Sequence, residues 1–234
     1  MIPWLELRDP FPPVEQALAE PNGLLAAGDD LSMPRLLDAY RRGIFPWFNE
    51  EDPVLWWSPD PRMVLFTDRV HVSRSLRKRL RSGALRVTCD TAFGQVMSGC
   101  AAPRAGQDGT WITRGMVYAY EQLAAHGHAH SVEVWEGESL VGGLYGVGIG
   151  RMFFGESMFT RRSDASKVAL VTLARQLGRW GFPLIDCQTS TAHLASLGAC
   201  ELTRAEFLGE VARLVGLEGP VRPWRFDADL LTGV

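Results

Sequence analysis

No run of this sequence is long and apolar enough to cross a bilayer, which takes about 20 residues. The longest uncharged apolar stretch, residues 140–150, is short and rich in glycine. The opening residues, Met-Ile-Pro-Trp-Leu-Glu-Leu-Arg-Asp-Pro, lack a basic segment leading into an apolar core, so no signal peptide is read and a cytoplasmic address is expected. Cys89, Cys100, Cys187 and Cys200 have no CxxC or other ligand spacing and are too few to staple 234 residues. They read as buried thiols, with neither a metal site nor a disulfide expected. An excess of positive charge is missing as well. A net charge of −3 excludes a uniformly basic nucleic-acid coat, so any polyanion site must be a local patch. The glycines at 142, 143, 146, 148 and 150 precede no Gly-Lys-Ser/Thr and open no helix, which excludes a phosphate loop. Inside a strand they mark bulges or close approach instead.

What is present suits a soluble globular protein with an ample core: 46% hydrophobic and 22% charged residues, with no repeat or low-complexity segment. The first 62 residues read as loop-rich. A short helical pattern through Val14 and Leu18 ends at Pro21-Asn-Gly23, and a second helix runs from Ser32-Met-Pro34 to Gly43. Trp56 and Trp57 read as a small aromatic core. Trp47 is held in a loop between Pro46 and the polar residues 49–52, where its flat face can stack a ligand ring. A domain boundary is placed in the proline-rich segment before Met63, giving domains 1–62 and 63–234.

Beyond it, residues 63–66 read as a strand, and Ser73 caps a helix, Arg74-Ser-Leu-Arg-Lys-Arg-Leu-Arg81. Leu76 and Leu80 form its buried stripe, while Arg74, Lys78 and Arg81 fall together on another face. Five cations with no acid among them favour a phosphate-backbone contact over a merely solvated face. A strand over 85–88, a helix over 92–100 and a polar loop over 104–109 follow. Thr113 then caps a helix that stops at Gly127, and Trp111 just ahead of it reads as core. His126, His128 and His130 straddle a helix end and a strand start, which fits capping or packing better than metal ligation. Residues 131–135 and 140–147 form a hairpin, and residues 151–159 a third strand. A helix over 163–180 leads to a strand over 184–188, and Thr203 with Glu206 makes a capping box for the last helix.

A strand, helix, strand unit of this length makes its flanking strands parallel, adjacent and right-handed in crossover. It would bring Glu156 and Asp186, each in an apolar strand, to one cleft. An antiparallel meander followed by a helix and a parallel strand is the order of acetyl-coenzyme-A N-acetyltransferases. Those enzymes carry a glycine-containing pyrophosphate loop before the helix. Residues 160–166, Thr-Arg-Arg-Ser-Asp-Ala-Ser, have no glycine, so coenzyme A is a poor donor candidate.

The sequence resembles the bacterial leucyl/phenylalanyl-tRNA–protein transferases over nearly its whole length. The resemblance is carried by Pro21-Asn-Gly-Leu-Leu25, Arg42-Gly-Ile-Phe-Pro-Trp47, Leu55-Trp-Trp-Ser-Pro-Asp-Pro-Arg62, Gly109-Thr-Trp-Ile-Thr113, Gly127-His-Ala-His-Ser131, Gly155-Glu-Ser-Met-Phe159, Leu184-Ile-Asp-Cys-Gln188 and Ser196-Leu-Gly198. It implies an α+β protein: a small loop-rich amino-terminal domain and an N-acetyltransferase-like domain with a mixed, mainly antiparallel sheet. It implies transfer of Leu, Phe or sometimes Met from aminoacyl-tRNA to a protein beginning with Arg or Lys, marking that protein for degradation. The donor ester is already activated, so no cofactor, ATP or metal is called for, and a cytoplasmic monomer away from any membrane is expected.

The same resemblance assigns parts. Asp186 and Gln188 would serve the attacking amine, Asp186 orienting the side-chain amide of Gln188, and Glu156 would hold a cation. Leu144, Phe153, Met158, Leu170, Leu173 and Ile185 would line the aminoacyl side-chain pocket. Trp47 and Trp111 match positions that sandwich the terminal adenosine, replacing the core reading of Trp111. Arg74, Lys78 and Arg81 would hold acceptor-stem phosphates. The glycines of 140–150 would leave room beside the ester. Thr191 stands where an Asn occurs in the relatives and is given no role, and residues 104–108 make a longer loop. A coenzyme-A-dependent acetyltransferase and a non-catalytic RNA-binding module are the alternatives.

Overall fold

The computed structural model describes residues 2–103 and 110–231. The predicted loop at 104–109 lies outside the described residues. Strands β1 (Trp4–Leu5), β2 (Leu24–Gly28), β3 (Phe45–Pro46) and β4 (Val54–Trp57) form a sheet in the order β1-β2-β4-β3, with helix α1 (Met33–Arg41) between β2 and β3. Most of this part lies in loops as expected, but its short strands pair into a sheet that the loop-rich reading did not include. Its strands are only two to five residues long, and one of them ends in Pro46, so no period-2 pattern is long enough to register. A single 3-10 turn, Val14–Gln16, stands where the first helical pattern was expected.

The larger sheet begins at β5 (Arg62–Phe66), followed by α2 (Arg74–Arg81), β6 (Arg86–Cys89), α3 (Phe93–Ala101), α4 (Arg114–Ala125), β7 (Ala129–Glu136), β8 (Ser139–Ile149) and β9 (Met152–Thr160). Then come α5 (Ala165–Arg179), β10 (Leu184–Gln188), α6 (Ala192–Ser196), β11 (Cys200–Leu202) and α7 (Arg204–Leu214). The sheet order is β11-β5-β10-β9-β8-β7-β6. Only β9 and β10 pair in parallel among its recorded pairs, joined through α5 as the strand, helix, strand pattern requires. The α+β class with a mixed, mainly antiparallel sheet follows.

Sequence-encoded caps fix the helix starts. The Ser73 hydroxyl accepts from the Leu76 N–H, Thr113 from Met116, and Thr191 from Leu194, while Thr203 and Glu206 close the capping box. Each face of the central strands then supports its own core. Tyr145, Phe154 and Phe159 turn towards α1, α3 and α4, in one cluster with Tyr40, Trp56, Tyr120 and Phe207. This cluster joins the two sheets. Leu144, Phe153 and Ile185 turn the other way, onto α5. That helix is buried nearly all round, so it reads as an apolar run rather than a stripe. Trp224 closes the second cluster, stacked on the His130 ring with centroids 3.4 Å apart. His130 in turn bonds Asp90, and the Nδ1 of His126 meets the Gln122 carbonyl at the end of α4, so packing and capping use these histidines.

The β8 glycines do not leave open room. A methyl at Gly142 would come within 2.5 Å of the Ala165 side chain, and one at Gly143 within 2.6 Å of the Val132 carbonyl oxygen. They allow α5 and the neighbouring strands to approach closely, and the space expected beside a ligand is filled by the protein itself.

Candidate active site

Two β-bulges face each other where the parallel strands part. The recorded β9–β10 register covers Phe153–Ile185 and Phe154–Asp186. On β9, Tyr145 faces Ser157 and Gly146 faces Gly155, so Glu156 is the extra residue. On β10, Asp186 faces Val64 and Gln188 faces Met63, so Cys187 is the extra one, and Gln188 takes a left-handed φ of 63°. A bulge bends its strand and re-aims a side chain. Here the pair turns Glu156 and Gln188 towards each other across the gap.

Glu156 is the hub. Its Oε1 accepts from the Tyr40 hydroxyl at 2.7 Å and from the Gln188 side-chain amide at 2.9 Å, and its Oε2 lies 3.0 Å from the Tyr120 hydroxyl. The two tyrosine hydroxyls also bond each other. Three contacts among these three groups need three protons, and the hydroxyls supply two. The triangle is therefore complete when Glu156 is protonated. Desolvation accordingly pushes its carboxyl up to about 8, against the downward pull of the Tyr40 and Tyr120 hydrogen bonds. Burial beside Glu156 also holds both tyrosine hydroxyls well above their ordinary range.

Asp186 is organised differently. It is 0% exposed and grips Arg62 bidentately, Nε to Oδ1 at 2.8 Å and Nη2 to Oδ2 at 2.7 Å. Its Oδ1 also accepts the Gln188 backbone N–H at 2.8 Å. The expected contact with the side-chain amide of Gln188 is thus replaced by one to its backbone, because the amide is committed to Glu156. That leaves the Gln188 carbonyl oxygen turned away from Glu156. Arg62 is itself fully buried, donates to the Gly43 carbonyl and lies over the Phe45 and Phe207 rings.

The other predicted residues fall into place as follows. Leu144, Phe153, Leu170, Leu173 and Ile185 share the α5-side core, with half-buried Met158 packed on it. Trp47 is 46% exposed, its ring centroid 5.4 Å from that of Trp57, and Trp111 is half-buried against the other core. Arg74, Lys78 and Arg81 are exposed on α2. A polar cleft of about 800 Å³ between α2 and α5 is lined by Arg77, Arg81, Arg175 and Arg179. Thr191, given no role from sequence, caps α6. Cys89 and Cys100 are buried free thiols as expected, whereas Cys200 is exposed on the edge strand β11, a correction to the uniform reading. Among the described residues no group of His, Cys, Asp and Glu is arranged to hold a metal, and no helix is long and apolar enough to cross a membrane.

Sequence reasoning missed Tyr40, Tyr120 and Arg62. The signals were available. Tyr40 and Tyr120 sit on the buried stripes of helices where an apolar residue would suffice, and a buried hydroxyl needs a partner. Arg62 opens an apolar strand, as Asp186 sits inside one, and each buried charge calls for the other.

The family described as leucyl/phenylalanyl-tRNA protein transferase matches residues 64–212, and its N-terminal domain matches residues 29–60. Among curated relatives, a leucyl/phenylalanyl-tRNA–protein transferase of Thiobacillus denitrificans is 61% identical, covering 93% of this chain and 96% of its own. One from Nitrosospira multiformis is 58% identical over 97% of this chain and 98% of its own. The solved structure of L-PGS from Bacillus licheniformis matches at a TM-score of 0.39 and 10% identity over 72% of this chain and 54% of that one, a likeness too distant to indicate a shared fold.

Proposed function

The chain belongs to the leucyl/phenylalanyl-tRNA protein transferase family, and from that we propose that it moves leucine or phenylalanine, and some methionine, from aminoacyl-tRNA to proteins beginning with Arg or Lys, marking them for degradation. The observation that carries this reading is the Glu156–Gln188 pair bridging the gap between β9 and β10. The α5-side apolar core adjoins it on the same strands. A meander, a crossover helix and a parting parallel pair support an N-acetyltransferase-like layout for residues 63–234, with residues 1–62 as the smaller domain.

In the reaction a neutral α-amine attacks the ester carbonyl. The C–N bond forms and the C–O bond to the terminal ribose breaks. One proton leaves the amine nitrogen and one arrives on the ribose oxygen. The free carbonyl oxygen of Gln188 accepts an amine N–H and orients the nitrogen. Glu156, pushed up to about 8, is matched to an α-amine that titrates near pH ~8, and passes the proton between nitrogen and oxygen. Asp186 acts through Gln188 by fixing its left-handed backbone, and Arg62 fixes Asp186. The apolar cluster of Leu144, Phe153, Met158, Leu170, Leu173 and Ile185 takes the aminoacyl side chain, and flexible Met158 suits both branched and aromatic guests. Trp47 and Trp111 stack the terminal adenosine, while Arg74, Lys78 and Arg81 hold acceptor-stem phosphates, with Arg77 and Arg175 in the adjoining cleft extending that basic track. Coenzyme A finds no support in the relatives.

The test is direct. Labelled Leu-tRNA and an Arg-started peptide are incubated with the protein, without ATP, added metal or ribosomes. Labelled peptide is expected, and its absence overturns the reading.

A further inference from the structure

A basic first residue on the acceptor needs a carboxylate, and the two carboxylates at the centre are committed elsewhere. Asp186 is wholly buried and matched to Arg62. Glu156 already has three hydrogen-bond partners, Tyr40, Tyr120 and Gln188, and its triangle with the tyrosines is complete in the neutral form. Neither has a free charged oxygen for a guanidinium or ammonium. A counter-charge must come from the next acid along the sheet.

Gln188 on β10 and Glu201 on β11 both pair with Met63 of the intervening strand β5, one from each side. They therefore lie level with each other, two strand spacings or roughly 10 Å apart by backbone. That span suits an arginine or lysine whose α-nitrogen sits at Gln188 and whose charged head lies at the far end of an extended side chain. Beside Glu201, with Met63 as its link to the Gln188 strand, is a shallow groove of about 340 Å³, with Met63, Ala192, Ala195 and Ala199 along its wall and Ser190 and Glu201 at its rim. Small apolar side chains suit the methylene stem, and an exposed carboxylate suits the head. The Ser190 hydroxyl holds Glu201 in place, and Ser190 is only two residues beyond Gln188.

We propose that this groove receives the side chain of the acceptor's first residue, and that Glu201 is the carboxylate that selects Arg or Lys there. The proposal rests on the transfer reaction above and deepens it by naming the acceptor subsite. It commits the groove to a cationic side chain of arginine length, whose own α-amine is the nucleophile.

Transfer is measured at fixed donor concentration with three peptides that differ only in their first residue: Arg, Lys and citrulline, the neutral isostere of Arg. For the wild type, kcat/KM is expected to favour Arg and Lys over citrulline. In Glu201→Gln the preference for Arg over citrulline should fall about fivefold, through a raised KM for Arg with kcat and the donor KM unchanged, as befits an ion pair in an open groove. Glu201→Asp should recover part of it, and Glu201→Arg should reverse it. A Glu201→Gln enzyme that keeps the full preference, or that loses Arg and citrulline transfer equally, overturns the assignment while leaving the transfer reaction standing. Wild-type protein that transfers to none of the peptides overturns both.

Discussion

The ion pair between Arg62 and Asp186 gives the sharpest test of how the site is built. Asp186→Asn keeps the size of the side chain and removes its charge. The remaining carbonyl oxygen of Asn can still accept from Gln188 N–H and Arg62 Nε, but its NH2 group would face Arg62 Nη2, donor against donor. The guanidinium would then be a buried cation with only the Gly43 carbonyl and the faces of Phe45 and Phe207, 4.7 and 4.5 Å from its carbon, for compensation. Removing one partner of a buried pair costs about 3–5 kcal/mol. For a chain of this size each kcal/mol lowers the melting temperature by about 2–4 °C, so the variant should melt roughly 6–20 °C below the wild type. Thermal and urea melts of Asp186→Asn, Arg62→Met and the double variant measure this. The double variant should lose less than the two singles added together, because it no longer strands a charge. A single variant melting within about 2 °C of the wild type would refute the structural account. Asp186 would then have to be a reacting group rather than an anchor.

Glu156→Gln reproduces the hydrogen-bond capacity of a protonated Glu156, so it should fold normally while transfer falls about 100-fold, read from single-turnover rates. The Glu156 carboxyl is held above its ordinary 4.5, so its contribution to stability is fully present below pH 4.5 and lost as pH rises to about 8; the variant, which does not titrate, should gain on the wild type across that window in melts at pH 5 and 8. Tyr40→Phe or Tyr120→Phe removes a bond that lowers the Glu156 pKa, so the rising limb of the pH–rate profile should move to higher pH, and an unmoved limb would count against that tyrosine's bond to the carboxylate. Trp47→Ala, at an exposed position, should leave the melting temperature nearly unchanged and raise the donor KM by about tenfold, given stacking worth ~1–3 kcal/mol per base. Neutralising Arg74, Lys78 and Arg81 together should flatten the log–log salt dependence of donor binding by a slope of about 2–3, and an unchanged slope would remove α2 from the tRNA track.

How much of this was legible in the sequence differed by element for physical reasons. The helix starts at Ser73, Thr113 and Thr203 were readable because a cap is a local device, a hydroxyl and an N–H three residues apart. The crossover through α5 was readable because parallel strands need a connection of that length. The small sheet was not, since strands such as Phe45–Pro46 are too short to carry a period and owe their pairing to the partner strand rather than to a pattern of their own. Trp224 was missed for the same reason: only the folded chain brings it onto His130 and Phe153.

The same distinction explains why the three polar residues of the candidate site were noticeable in the sequence but their wiring was not. Glu156, Asp186 and Gln188 stand out in a sequence as polar groups in apolar strands. Which atom of Gln188 each carboxylate meets depends on two single-residue bulges, at Glu156 and Cys187. Without the first, Glu156 would keep strict alternation on β9 and be aimed by the pleat alone. Without the second, Gln188 would pair on the opposite face of β10. One extra residue in each strand therefore separates the work: the buried, charge-matched pair holds the backbone, and the neutral, tyrosine-bound Glu156 is left to titrate near the pKa of an amine. A site with both carboxylates charged and open to the cleft would bind a basic acceptor tightly at its centre but hold its α-amine as an ammonium. Keeping the centre neutral and the counter-charge at a distance lets the same acceptor be recognised at one end and react at the other.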